Sequence, residues 1–119
     1  MRNFRELQIW QRSHNLTLVV YRLTKEFPNS ELYGLVSQMR RSASSIPTNI
    51  AEGCGRSTDK DFARFLDNAM GSASELEYQL ILACDLEYIP KDTYDKTNSE
   101  LTEIKRMLNA FIQKLRANP

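Results

Sequence analysis

Residues 37–56 read SQMRRSASSIPTNIAEGCGR, and the fold turns on whether this stretch is helical. Met39, Ala43, Ile46 and Ile50 recur at three- and four-residue steps, the signature of one apolar helical face. Around that stripe lie Ser42, Ser45, Asn49, Ala51 and Glu52, which leave little bulk between this helix and its neighbours. Close approach then requires a partner for every covered hydroxyl, amide and carboxylate. Gly71–Glu77 (GSASELE) has the same character. Ser42, Ser45, Asn49, Glu52, Ser72, Ser74 and Glu75 are therefore expected to form a polar packing motif. Pro47 lacks an N–H and crowds the carbonyl of Ala43, which costs up to ~3 kcal/mol in a straight helix. A kink near Ser44–Pro47 is the natural relief.

Outward from this stretch, the same helical period continues in both directions. A first helix runs from about Phe4–Leu7 to Lys25, with Leu16, Val19, Val20, Leu23 and Phe27 on its core stripe. Phe27-Pro28 ends it, because a residue before proline avoids the helical region. Asn29 or Ser30 caps the second helix, read from Glu31 to about Cys54, with Leu32, Leu35 and Val36 extending its stripe. Ser57 or Thr58 caps the third, which carries Phe62, Phe65, Leu66, Ala69, Ala73, Leu76, Leu80 and Ala83 through about Glu87. The fourth begins near Lys91–Tyr94 and sets Tyr94, Leu101, Ile104, Leu108, Phe111 and Leu115 on a coiled-coil-like seam. Long helices with short connections predict an all-α, antiparallel up-down-up-down four-helix bundle, one domain over residues 1–119.

The 119 residues carry 16 basic and 15 acidic side chains, so the chain is neither a polycation nor an acidic tail. The charge is uneven: residues 1–25 sum to +4, residues 67–103 to −7 and residues 104–119 to +4. Such a chain shows a basic and an acidic face, or pairs the two across a subunit contact. Leu7, Trp10, Leu18 and Tyr21 on the first helix, and Tyr78 and Leu82 on the third, lie off the core stripes. A monomeric bundle needs one apolar stripe per helix, so this second set is expected to be an oligomer interface. Cys54 and Cys84 form no CxxC pattern and read as free thiols of a reducing compartment. With no apolar N-terminal region and no membrane-length apolar run, the expectation is a cytoplasmic protein without membrane contact.

Chemistry is harder to find. His14, the sole histidine, lies one turn from Trp10 and reads as a packing residue rather than a general base. Glu52 and Glu75 are a carboxylate pair without the ExxH spacing of a bundle di-metal site. The serines lack a base and a GxSxG elbow. GCGR at 53–56 follows a helix and lacks GKS/T, so it reads as a turn and not a phosphate loop. No catalytic residue, metal, cofactor or small-molecule substrate is expected. Arg40, Arg41, Arg56, Lys60 and Arg64 are the candidate nucleic-acid contacts, as a basic patch around the turn between the second and third helices.

FRELQIWQ at 4–11, FPNSELYGLVSQMRRSASSIPTNIAEGCGR at 27–56, FARFLDNAMGSASELEYQL at 62–80 and the heptad-like last helix together resemble the four helix bundle protein family. That family is also called the 23S rRNA intervening-sequence protein family. SIPTNIAEGCGR and GSASELEY carry the likeness most specifically. The resemblance implies an antiparallel four-helix bundle assembling as a homopentamer. It extends to the accessory variability proteins of diversity-generating retroelements, whose pentameric barrels bind nucleic acid and a reverse transcriptase through basic surfaces. It implies no enzymatic activity and carries no catalytic residue. The near-neutral charge of this chain departs from those accessory proteins.

Overall fold

A computed structural model describes residues 2–117, which form four long helices and no strand. A 3-10 turn at Phe4–Glu6, capped by the Asn3 side chain accepting from the Arg5 N–H (3.1 Å), leads into α1, Gln8–Thr24. The others are α2, Ser37–Cys54, α3, Asp59–Asp85, and α4, Lys91–Ala117. α1 packs on α2 and α4, and α3 on α2 and α4, so the four enclose one apolar core. Val20, Met39, Ile46, Ile50, Leu66, Leu76, Leu80, Leu101, Ile104 and Leu108 are buried there, each side chain worth ~1.5–3 kcal/mol of transfer from water.

The sequence places the start of the second helix at Glu31. Instead a 3-10 turn at Asn29–Glu31 and a π-helical turn at Leu32–Val36 precede α2, and the backbone leaves helical geometry at Gly34. Glu31 holds this turn: Oε1 accepts from the Leu35 N–H (3.4 Å) and Oε2 accepts from the Tyr88 hydroxyl (2.9 Å). The break changes the helical register, so Leu32 leaves the core stripe and is 49% exposed, contrary to its sequence pattern.

Thr58 caps α3, its Oγ1 accepting from the Asp61 N–H (3.1 Å). α3 ends at Asp85, earlier than expected, in a Schellman motif: the Tyr88 N–H reaches the Ala83 carbonyl and the Glu87 N–H that of Cys84, both at 2.9 Å. Glu87 takes the left-handed position (φ 64°) that glycine usually fills. Tyr88 then packs at a tilt against Phe27 (centroids 5.1 Å apart, planes 50° apart), tying the α3–α4 connection to the α1–α2 connection.

α2 continues through Pro47. In a regular helix the Ala43 carbonyl would accept from residue 47, which here has no N–H. Thr17 of α1 supplies the donor. Its buried hydroxyl lies within hydrogen-bond distance of the carbonyls of Ser13 (2.8 Å) and Ala43 (3.1 Å). A side chain on one helix thus satisfies a group that proline leaves unpaired on the next. At Gly53 the approach of α3 to α2 leaves no room for a side chain. A Cβ built there would sit 2.6 Å from Cδ1 of Phe62 and 3.1 Å from Cβ of Phe65.

Candidate interaction surfaces

The small polar residues divide into two groups. Ser42 and Ser72 are buried, and Ser45 and Asn49 half-buried. Ser72 Oγ donates to Ser45 Oγ (2.8 Å) across α2 and α3, and the Asn49 amide donates to Ser45 Oγ (3.0 Å) and Ser45 O (2.9 Å). Glu52, Ser74 and Glu75 lie instead on the outside of the chain. Their expected place within the packing is corrected by helical register: Ile50, Gly53 and Cys54 on α2, and Ser72, Ala73 and Leu76 on α3, take the inward positions. The hydroxyls that bridge α1 to α2 were not in the expected set. Besides Thr17, Thr24 donates to the Val20 carbonyl (2.7 Å) and accepts from Arg40 Nε (2.9 Å). Ser13, Thr17 and Thr24 fall on the stripe of Leu16 and Val20, so their spacing was the available signal.

The five cations form two clusters, not one patch. Arg56 and Arg64 stack on the Phe65 ring from 4.5 and 4.9 Å and share Asp61, with Lys60 exposed nearby in sequence. Arg40 and Arg41 lie some fifteen residues back, about 20 Å along the helix. Arg40 stacks on Tyr21 (4.7 Å) and also donates to the Tyr21 carbonyl (3.3 Å). Arg41 is exposed, and its guanidinium makes no ion pair among the described residues. Ion pairs elsewhere clamp the helices to one another: Arg12 forks onto Glu100 (2.9 and 2.7 Å), Lys105 meets Glu77 (2.9 Å), and Arg116 meets Asp67. These exposed or half-exposed pairs contribute little stability individually.

Of the residues expected at an oligomer interface, Leu7, Trp10 and Leu82 are half-buried, while Leu18, Tyr21 and Tyr78 are exposed. Trp10 packs edge-on against Phe4 and stacks in parallel on the exposed His14 (centroids 5.0 Å apart, planes 4° apart). Tyr33, which the sequence reading did not single out, is 93% exposed, and Tyr78 is 62% exposed. Tyr21, Leu32, Tyr33, Val36, Arg40 and Arg41 line a groove of about 430 Å³. A second groove of similar size runs between α1 and α4, with Arg2, Arg106 and Lys114 beside Leu7, Met107 and Phe111.

Cys54 and Cys84 are free, Cys54 buried and Cys84 half-buried. Burial pushes the Cys54 thiol above the usual range, against the pull of nearby Arg2. A thiol held neutral in the fold contributes stability that is complete below its unfolded pKa and is lost as pH rises through the folded one. A thiol reagent at mildly alkaline pH should therefore modify Cys84 first, and Cys54 only at the rate the fold opens. Equal rates, measured by mass spectrometry of the labelled chain, would contradict this burial.

Among the described residues no three His, Cys, Asp or Glu side chains gather as a metal site, and no helix is long and apolar enough to cross a membrane. The features that remain are helix-clamping hydroxyls, exposed aromatics and shallow grooves, on an all-α protein of four packed helices. A model of the 23S rRNA-intervening sequence protein family matches residues 5–110. The chain belongs to that family. It is also similar to a crystal structure of a protein with unknown function from the S23 ribosomal protein family of Bacteroides thetaiotaomicron. The two are 28% identical, with a TM-score of 0.79 over 87% of this chain and 97% of that one. No curated protein matches the chain.

Proposed function

We propose that this protein is a non-enzymatic helical scaffold that assembles with copies of itself, as a homopentamer, in the cytoplasm. The observation that carries this reading is the pair of exposed aromatics, Tyr33 and Tyr78, standing well outside the core of a bundle that is already closed. Contiguous exposed apolar patches mark association surfaces, and Tyr33 shares a groove with Tyr21 and Leu32 while Tyr78 lies one helical turn from the exposed Ile81. Two unpaired thiols fit a reducing compartment. An antiparallel, up-down-up-down course belongs to the same reading. It is supported by Glu77 meeting Lys105 while Asp67 meets Arg116, and by Gly53 meeting Phe62 while Ser45 meets Ser72. A bend at Pro47 is supported by the Ala43 carbonyl turning to Thr17. Association that binds only folded chains raises the melting temperature with chain concentration. A rise of several degrees between 1 and 100 μM is expected, and a midpoint independent of concentration would reject the scaffold.

A second reading, binding of RNA or DNA by the assembly, is favoured by guanidinium groups already stacked on aromatic faces at Tyr21 and Phe65. Arg41 and Lys60 add exposed charge, and each chain of a ring would multiply these contacts. Binding of this kind weakens steeply as salt rises, and a flat salt response would exclude it.

A further inference from the structure

Two exposed apolar faces of this chain differ in shape and in charge. The first is the groove at the α1–α2 connection. Leu32 and Tyr33 project from the π-helical turn beside Tyr21, and Arg40 and Arg41 form the rim. No carboxylate lines it. Glu31, the nearest acid in sequence, is occupied by the Tyr88 hydroxyl and the Leu35 N–H. The second face lies on α3. Ile81 and Leu82 lie three and four residues beyond Tyr78, and Glu75 and Asp85 extend the same face by one turn at each end. Both carboxylates are exposed and make no ion pair among the described residues. From Phe65 to its end at Asp85, α3 carries four acids and no lysine or arginine.

A concave basic face does not complement itself, and neither does an acidic ridge. Each complements the other. We infer that the occupant of the Tyr21–Leu32–Tyr33 groove is the Tyr78–Ile81 ridge of a second copy of this chain. Arg40 and Arg41 would then face Glu75 and Asp85 across the contact. This rests on the reading that the protein self-associates, and it adds which surfaces meet and how. A contact between two different patches is heterologous: every chain offers one groove and one ridge, so copies add in the same direction until the rotation closes a ring. A contact made by one patch with itself would stop at two chains. The π-helical turn acquires a role in this arrangement, because it turns Leu32 and Tyr33 outward from the core stripe.

Two double variants test this. Leu32→Ser with Tyr33→Ser removes the groove face, and Tyr78→Ser with Ile81→Ser removes the ridge. All four side chains are at least 40% exposed, so circular dichroism should show unchanged helix content. Each double variant alone should be monomeric where the parent is assembled. Mixed in equal amounts they retain one intact groove and one intact ridge between them, so the mixture should yield dimers and nothing larger. A mixture that stays monomeric, or a double variant that keeps the parent mass, would overturn the inference. If the groove variant keeps its mass but loses binding of a single-stranded oligonucleotide, the groove belongs to nucleic acid instead. A parent that is itself monomeric would sink the scaffold reading along with this one. Charge reversal gives a second readout that does not depend on the apolar side chains. Arg41→Glu or Glu75→Arg alone should weaken assembly at least tenfold, and both in one chain should restore it. Two losses that simply add would contradict the matched rims.

Discussion

Gly53→Ala is expected to destabilise the protein by about 1–3 kcal/mol, the usual cost of overpacking. The sign is the informative part. Alanine at a helical glycine ordinarily stabilises by about 1 kcal/mol, and Gly53 lies within α2. The new methyl, however, would sit 2.6 Å from the Phe62 ring. That ring cannot easily move away: it packs edge-on against Phe111 (5.3 Å), with the Arg2 guanidinium over both rings. Phe65 Cβ, at 3.1 Å, closes the other side. The helices must then part at this end of the bundle. Gly71→Ala is the control, because a Cβ there meets nothing within 4 Å and only the gain in helix propensity remains. Thermal melts should move in opposite directions, by roughly 4 °C per kcal/mol. A rise in melting temperature for Gly53→Ala would mean that α2 and α3 do not approach as closely as described.

Thr17→Val should cost about 1–3 kcal/mol, because it leaves the Ala43 carbonyl without its cross-helix donor. Valine keeps the shape and exchanges the hydroxyl for a methyl. The origin of the cost can be isolated. Pro47→Ala returns an N–H to residue 47, which can then donate to Ala43 within α2. In that background Thr17→Val should cost at least ~1 kcal/mol less, which is well above the ~0.3–0.5 kcal/mol scatter of independent sites. Urea denaturation of the four chains measures this directly. Additive losses would show that Thr17 and Pro47 are not coupled through that carbonyl.

Much of the fold was legible because period and punctuation agree. Met39, Ala43, Ile46 and Ile50 are all buried, as their spacing predicts, and Thr58 caps α3 as its type predicts. The departures have local causes. Leu32 fits the apolar period of α2, but the π-helical turn held by Glu31 and Tyr88 is set by a contact fifty-seven positions away in sequence, which no local pattern contains. Glu52 and Glu75 share segments with inward-facing serines yet lie outside, because a step of one or two residues on a helix turns a side chain by 100° or 200°. Closeness in sequence suggests one patch of cations, whereas the length of α2 separates Arg41 from Arg56. Tyr33 gave no warning, since one tyrosine in an apolar run looks like core. Its exposure is what the chain alone could not reveal, whereas Tyr78 already stands off the core stripe of α3 by its spacing.

Self-association is the claim on which the rest depends, and native mass spectrometry of the parent chain at micromolar concentration tests it most directly. The account predicts a discrete species of five chains, each 13.8 kDa. A spectrum containing only the single-chain mass would contradict it.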